Sequence, residues 1–175
     1  MARTLAIPRP PAAVTAAVGR YWPLALLLIS ALCLIVAEFL TLREIRTITA
    51  VPRGGTVTGG ANHHYALAVI GVALLPMGFG AVMRSARPAA VACILLALAA
   101  ALVVFSVDYP HINDPGIFAE TYDLAQARPA AGFYVESFGA ALALVGGIAA
   151  LVLVPRPDRP ARAARRPRGE GQERH

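Results

Sequence analysis

The chain has 175 residues, of which 57% are hydrophobic and only 15% are charged. This composition excludes an ordinary water-soluble domain and indicates a membrane protein. The formal net charge is +6, and every basic residue is an arginine. These arginines are not interleaved with aromatic residues on a soluble fold, so the sequence predicts no nucleic-acid partner.

Four apolar runs are long enough to cross a bilayer, since a hydrocarbon core of ~30 Å needs about 20 apolar residues in a helix. The runs are residues 22–42, 64–83, 89–107 and 133–154. The sequence therefore predicts an all-α membrane protein, with four transmembrane helices in a bundle over residues 21–154. Residues 1–20 form a segment before the membrane, and residues 155–175 form a disordered, Arg-rich tail.

The arginines are divided unequally between the two ends of these predicted spans. Twelve lie in the N-terminal segment, the loop between spans two and three, and the tail, whereas four lie in loops one and three. Arginine is enriched in cytoplasmic loops. The sequence therefore predicts a multi-pass protein of the plasma or inner membrane, with both termini in the cytoplasm and loops one and three outside. The tail could also bind anionic lipid or a partner at the cytoplasmic surface.

The outer loops have patterns of their own. In loop one, "REIRTITAV" (residues 43–51) alternates polar and apolar residues, and "GGTVTGG" (residues 54–60) follows a Pro-Arg pair. This pattern predicts a short β-hairpin. In loop three, "GIFAETYDLAQA" (residues 116–127) has the composition of a helix, which predicts a short amphipathic helix on the outer surface.

Two features of the apolar runs concern helix packing. Pro76 lies inside span two and predicts a bend, which is either fixed geometry or a hinge. Small residues recur every four positions in the last two spans, and they are Cys93, Ala97 and Ala101 in span three and Gly139, Ala143 and Gly147 in span four. Small residues let two helix backbones approach closely in lipid, so spans three and four are predicted to form a tight pair.

Polar residues gather at the outer end of the predicted bundle. The topology brings together Glu38, His63, His64, Asp108, His111 and Glu136. We call this set the outer-mouth cluster. Glu38 and Glu136 lie inside predicted spans, where an ionisable residue is a functional candidate by default.

Three interpretations of the outer-mouth cluster stay open. Imidazole and carboxylate groups from several helices suit Zn²⁺ or a similar divalent ion, but the sequence has no His-x-x-x-His or Glu-x-x-His motif, so the metal is unassigned. Glu38 and Glu136 also suit a relay for protons or cations. In the third interpretation the polar residues only end helices, with Asn62 as the cap of span two and Asp108 and Pro110 at the end of span three.

The segments "VDYPHINDPG" (residues 107–116) and "GFYVESFGA" (residues 132–140) resemble those of uncharacterised small four-helix integral membrane proteins of high-GC bacteria. The resemblance covers roughly residues 20–155 and implies a fold and a membrane location, but no activity.

The sequence has no nucleophile–base pair, phosphate-binding loop or complete metal motif. It therefore predicts a protein that is not an enzyme and needs no cofactor, an accessory or structural component of the membrane. Its predicted partners are the lipid bilayer and either another membrane protein or a second copy of the chain. The alternative is a small transporter or ion-binding or ligand-binding membrane protein that uses the outer-mouth cluster.

Overall fold

The computed structural model of the protein describes residues 12–47, 54–115 and 125–153. The helices are α1 (Ala12–Ala37), α2 (Gly59–His63), α3 (Ala66–Met83), α4 (Arg87–Val103), α5 (Tyr109–His111) and α6 (Ala131–Leu153). A π-helical turn, Val104–Asp108, joins α4 to α5. The strands are β1 (Thr41–Thr47), β2 (Gly54–Thr58) and β3 (Ala125–Pro129).

Three helical segments are long and apolar enough to cross a membrane, namely α3, the continuous helical segment Arg87–His111, and α6. In their apolar windows only 33%, 28% and 39% of the residues, respectively, are buried inside the protein. Large apolar side chains such as Val69, Leu98 and Val152 therefore point outward. A soluble protein does not expose apolar surface continuously along its helices, whereas lipid accepts it. By length and composition, the chain is a helical membrane protein.

The first helix differs from the predicted first span in both bounds. It begins at Ala12, within the segment expected to precede the membrane, and it ends at Ala37, before the predicted end at Leu42. Its apolar segment, Tyr21–Ala37, is shorter than the three spans above. Beyond Ala37 the chain turns and enters β1. Polar and apolar residues alternate in β1, which is the pattern of a strand and not of a helix. The predicted disordered tail lies outside the described residues.

The long helices pack around a core of mainly small and aliphatic residues. Helix α1 packs on α3 and α6, and α4 packs on the same two helices. The buried residues at their contacts are Leu27, Ala31, Leu34, Leu67, Leu74, Cys93, Ala97, Ala100, Ala140 and Ala143. The predicted strip on α4 is partly displaced, since Ala101 is only half-buried and its neighbour Ala100 is fully buried.

The small residues of α6 contact two neighbouring helices rather than one. A Cβ at Gly147 would lie 3.0 Å from Ile94 Cγ1 of α4, as the tight pair predicts. A Cβ at Gly139 would instead lie 3.0 Å from Cys33 Cβ of α1, and the Ser30 hydroxyl donates a 2.8 Å hydrogen bond to the Gly139 carbonyl. Eight residues turn a helix by about 80° more than two full turns, and here that rotation brings the two glycines to different neighbours.

Pro76 lies within α3, which continues past it to Met83. The residue is exposed on the outer side of the helix. Its ring therefore faces the surroundings of the protein and not the core.

A three-stranded antiparallel sheet in the order β2-β1-β3 lies at one end of the helices. Strands β1 and β2 confirm the predicted hairpin of loop one. Strand β3 comes from loop three and pairs with β1, with Ala127 opposite Ile45. The helix predicted there is wrong for its last residues, Ala125–Ala127, and residues 116–124 lie outside the described part of the chain. Because β1 and β3 pair, loops one and three lie at the same end of the helices.

Helix α6 begins in direct contact with β1. The Ala130 N–H donates a 2.9 Å hydrogen bond to the Leu42 carbonyl. A Cβ at Gly132 would lie 2.8 Å from the Thr41 carbonyl oxygen, closer than real Cβ contacts come. Only glycine therefore permits this approach without a backbone shift. Glu136 follows one turn later on the same face of α6, so the contact also sets the position of its side chain.

This contact predicts a stability difference between two glycine-to-alanine changes in helices. Gly132→Ala should lower the free energy of unfolding by about 1–3 kcal/mol, because the new methyl group meets the Thr41 backbone. Gly19→Ala in α1 is the control, since a Cβ there has nothing within 4 Å, and it should leave stability unchanged or raise it by up to about 1 kcal/mol. Denaturant unfolding in detergent measures both, and equal losses would contradict the close approach.

Candidate metal centre

Four ionisable side chains meet at the sheet end of the helices. They are Glu38, just after α1; His63, the last residue of α2; Asp108, the last residue of the π-helical turn; and Glu136, in α6. The exposed fractions are 1% for Glu38, 1% for Asp108 and 0% for Glu136, and the His63 side chain is 6% exposed. Among the residues whose burial the structure describes, the only other buried polar residue is Ser30. We call these four residues the buried centre.

The imidazole of His63 lies among the three carboxylates. Its Nδ1 is 3.3 Å from Glu38 Oε1, and its Nε2 is 3.6 Å from Asp108 Oδ2 and 3.9 Å from Glu136 Oε2. The 3.3 Å contact has the distance but not the alignment of a hydrogen bond. One ligand atom from each of His63, Asp108 and Glu136 lies within 4.8 Å of the other two. One ring nitrogen therefore faces Glu38 and the other faces the remaining two carboxylates.

Glu38 also caps helix α3. Its Oε1 accepts hydrogen bonds from the backbone N–H groups of Leu67 (2.7 Å) and Ala68 (3.2 Å). The first N–H groups of a helix have no partner within the helix, and a negative charge is favourable at that end. The predicted cap, Asn62, does not perform this role, because the N-cap position is Tyr65 and has no side-chain cap hydrogen bond. A carboxylate distant in sequence replaces the local cap.

Asn62 instead holds Asp108. Its amide nitrogen donates a 2.6 Å hydrogen bond to Asp108 Oδ1, which leaves Oδ2 facing the imidazole. Helix α2 thus supplies His63 to the buried centre, and the adjacent Asn62 holds Asp108 in place. The helix lies directly on Glu38, since a Cβ at Gly59 would be 3.2 Å from both the Cα and Oε2 of Glu38.

The connection between α2 and α3 separates the two neighbouring histidines. His64 and Tyr65 both have left-handed backbone conformations, with φ of 55° and 62°. Such conformations are costly for residues other than glycine and persist only where surrounding contacts require them. Here they reverse the chain so that α3 begins against Glu38. His64 is exposed as a result and is not part of the buried centre.

The π-helical turn gives Asp108 its buried position. Val104 and Asp108 are buried, whereas Phe105 and Val107 between them are exposed. Single π-helical turns insert an extra residue into a helix and often occur at functional sites. The helical path then continues to His111, so Asp108 and Pro110 do not end it as the helix-end interpretation predicts.

His111 lies near the sheet and outside the buried centre. Its Nδ1 is 2.8 Å from the Val107 carbonyl oxygen, and its own carbonyl accepts a 2.6 Å hydrogen bond from Arg43 of β1. Its side chain is exposed. His111 therefore fastens the end of the helical segment to the sheet.

Most polar atoms of the buried centre lack hydrogen bonds. Within the described part of the chain, no hydrogen-bond partner is found for six of the eight side-chain N and O atoms of the buried centre: Glu38 Oε2, His63 Nδ1, His63 Nε2, Asp108 Oδ2, Glu136 Oε1 and Glu136 Oε2. Buried polar groups are nearly always hydrogen-bonded, and burying an uncompensated charge costs several kcal/mol. With all three carboxylates ionised and the imidazole neutral, the formal charge would be −3. The centre therefore needs a cation or bound protons to balance its charge.

The donor atoms fit a small cation. Zn²⁺ binds imidazole nitrogen and carboxylate oxygen at about 2.0–2.2 Å, which places tetrahedral ligand atoms about 3.4 Å apart. The separations from His63 Nε2 to Asp108 Oδ2 and Glu136 Oε2 are 3.6 Å and 3.9 Å. The three ligand atoms lie within 4.8 Å of one another, so they would have to move closer together to bind one ion.

The outer-mouth cluster and the buried centre share Glu38, His63, Asp108 and Glu136. The structure does not bring His64 and His111 to them. Sequence reasoning also missed Asn62 as the partner of Asp108, and its position next to His63 was the only available signal. No protein family, curated protein or solved structure matches this chain.

The double role of Glu38 predicts a graded effect of two substitutions on stability. Glu38→Ala removes the acceptor for two backbone N–H groups of α3 and should lower the free energy of unfolding by about 2–4 kcal/mol in metal-free buffer. Glu38→Gln keeps an amide oxygen for those groups and should lose less. The control is Glu44→Ala on the exposed side of β1, expected within about 0.5 kcal/mol of the wild type. Equal losses in Glu38→Ala and Glu44→Ala would contradict the capping role.

Proposed function

We propose that this chain is a four-span membrane protein that binds a cation at the buried centre. The observation that carries the proposal is the environment of Glu136. Its side chain is fully buried, both of its oxygens lack a hydrogen-bond partner among the described residues, and two further buried carboxylates lie beside the same imidazole. Ionisable groups within membrane segments are costly and usually face a partner or a pathway.

A purely structural role explains only part of the buried centre. Glu38 Oε1 caps α3, and Asp108 Oδ1 is held by Asn62. A structural network of buried polar groups is stabilising when every member is satisfied. In the described contacts Glu136 caps no helix and binds no side chain outside the buried centre, and a residue that merely ends a helix would lie in water. These features favour ligand binding over the helix-end interpretation.

The membrane arrangement within this proposal adds α1 as the fourth span. Its apolar segment, Tyr21–Ala37, extends about 26 Å, close to the thickness of a hydrocarbon core of ~30 Å, and the helix packs alongside α3 and α6. The excess of arginine in the N-terminal segment, the α3–α4 connection and the tail supports cytoplasmic termini in a plasma or inner membrane. The sheet and the buried centre then lie at the outer side.

Of the two functions predicted from the sequence, this proposal favours the small transporter or ion-binding membrane protein over the accessory or structural component. A bound cation could stabilise the fold or be transported, and both roles use the same centre. That the protein is not an enzyme and acts through a membrane-protein partner or a second copy stays a prediction from its sequence.

The proposed orientation predicts which exposed positions can be labelled from outside the cell. In a background with Cys33 and Cys93 changed to Ala, Thr56→Cys in β2 should react with a membrane-impermeant maleimide in intact cells. Ser85→Cys in the α3–α4 connection should react only after the cells are opened. Both positions are exposed, so accessibility within the protein does not separate them. The reverse labelling pattern would overturn the orientation.

Cation binding predicts that a cation added to the metal-free full chain in detergent raises its unfolding temperature. We expect at least one of Mg²⁺, Ca²⁺, Mn²⁺ and Zn²⁺ to stabilise the protein, by about 2.7 kcal/mol at a concentration of 100 times the dissociation constant. Glu136→Gln should lose most of this stabilisation, because it removes a buried negative charge. Glu44→Gln, at an exposed carboxylate, should retain it. The proposal fails if none of the four cations stabilises the wild type.

A further inference from the structure

We infer that the cation is a transition metal of the Zn²⁺ type, with His63 Nε2, Asp108 Oδ2 and a carboxylate oxygen of Glu136 as its ligands. Glu38 is a positioning residue for His63, and Asn62 is a positioning residue for Asp108. This inference rests on the proposed cation binding and adds the class of metal, the ligand atoms and the groups that orient them.

The two nitrogens of His63 have different surroundings. Nδ1 lies 3.3 Å from Glu38 Oε1, whereas Nε2 faces Asp108 and Glu136. A neutral imidazole carries its proton on one nitrogen and a lone pair on the other. When a metal takes the Nε2 lone pair, the ring proton lies on Nδ1, and Glu38 is the carboxylate nearest to it. A carboxylate that orients a ligating histidine in this way is a common feature of zinc sites.

Glu38 is itself held in place. Its Oε1 accepts hydrogen bonds from two backbone N–H groups at the start of α3. The carboxylate therefore cannot rotate toward His63 Nε2 without losing these hydrogen bonds. The positive end of the α3 dipole also offsets its charge. Glu38 is thus fixed as an orienting group for the imidazole.

Asp108 and Glu136 offer oxygens that no described group outside the buried centre uses, and the two carboxyl groups are close enough to share a proton with each other. Asn62 binds Asp108 Oδ1 and leaves Oδ2 without a hydrogen-bond partner, 3.6 Å from His63 Nε2. Both oxygens of Glu136 are unpartnered within the described residues. Two ligating carboxylates neutralise one divalent ion, and the remaining charge of Glu38 is offset by the α3 N-terminus.

The type and number of donors distinguish between classes of cation. Ca²⁺ takes six to eight oxygen ligands, and Mg²⁺ requires octahedral oxygen coordination and usually retains several waters. The buried centre offers an imidazole nitrogen and few oxygens, and its side chains are at most 6% exposed. Imidazole with carboxylates suits Zn²⁺, which accepts four ligands, with three from the protein and one open position for water.

X-ray absorption of the zinc-loaded wild-type protein tests the ligand set directly. The full chain in detergent, loaded with Zn²⁺, should show a shell of nitrogen and oxygen atoms at about 2.0–2.2 Å with the outer scattering of one imidazole. A bound zinc ion without the imidazole signature would overturn the inference. This measurement uses the wild type and does not depend on any variant folding.

Two histidine variants provide a matched comparison. His63→Ala should lower Zn²⁺ affinity at least 100-fold in a chelator competition titration, because it removes a ligand. His64→Ala, at the exposed neighbouring position, should bind Zn²⁺ as the wild type does. Unfolding in metal-free buffer checks that both variants are folded. Wild-type affinity in folded His63→Ala would overturn the inference.

Glu38→Gln tests the positioning role. The amide can still accept the α3 N–H groups but no longer favours a proton on His63 Nδ1, so we expect a 10- to 100-fold loss of Zn²⁺ affinity and a weaker imidazole signature. Unchanged affinity and an unchanged signature would remove Glu38 from the inference.

Binding of each of the four cations distinguishes a failure of the zinc inference from a failure of the proposed cation binding. If Ca²⁺ or Mg²⁺ binds stoichiometrically and Zn²⁺ does not, the inference fails and the proposed cation binding stands. If none of the cations binds, both fail.

Discussion

The arrangement depends most on the hydrogen bonds from the first N–H groups of α3 to the carboxylate of Glu38. Leu67 and Ala68 donate to a single oxygen that follows the end of α1. This contact joins two long helices at the sheet end and requires α2 to cross Glu38 between them, which Gly59 permits. It also leaves the same oxygen beside His63 Nδ1. One carboxylate therefore caps a helix, fixes the path of the chain and lies beside the imidazole.

The other members of the buried centre are placed by distortions of regular structure. The π-helical turn makes Asp108 buried between exposed neighbours, and the left-handed residues His64 and Tyr65 start α3 in the right place. The close contact between Gly132 and β1 sets the position of α6 along its axis relative to the sheet. Such departures from ideal geometry cost free energy and persist when the surrounding structure requires them. Their convergence on four buried ionisable groups indicates a site rather than incidental packing.

The sequence predicted the parts of this fold that depend on local pattern. Long apolar runs indicated the membrane helices, and alternation in β1 with glycines around β2 indicated the hairpin. The pairing of β3 with β1 was missed, because Ala125–Ala127 have helical composition and become a strand only beside the edge of β1. The grouping of Glu38, His63, Asp108 and Glu136 followed from topology. The exclusion of His64 and the bond from Asn62 to Asp108 depend on a backbone reversal and on a contact 46 residues apart in sequence, which no local pattern records.

A membrane protein that buries three carboxylates around one imidazole must balance their charge within the fold, since its outward surface is apolar. We propose that one divalent transition metal provides this balance. The most direct test is elemental analysis of the full chain extracted from membranes without added metal or chelator, beside an Asp108→Asn, Glu136→Gln double variant. We expect one transition-metal ion per wild-type chain and its loss from the folded double variant. A wild-type protein free of metal, or a double variant with the same metal content as the wild type, would contradict it.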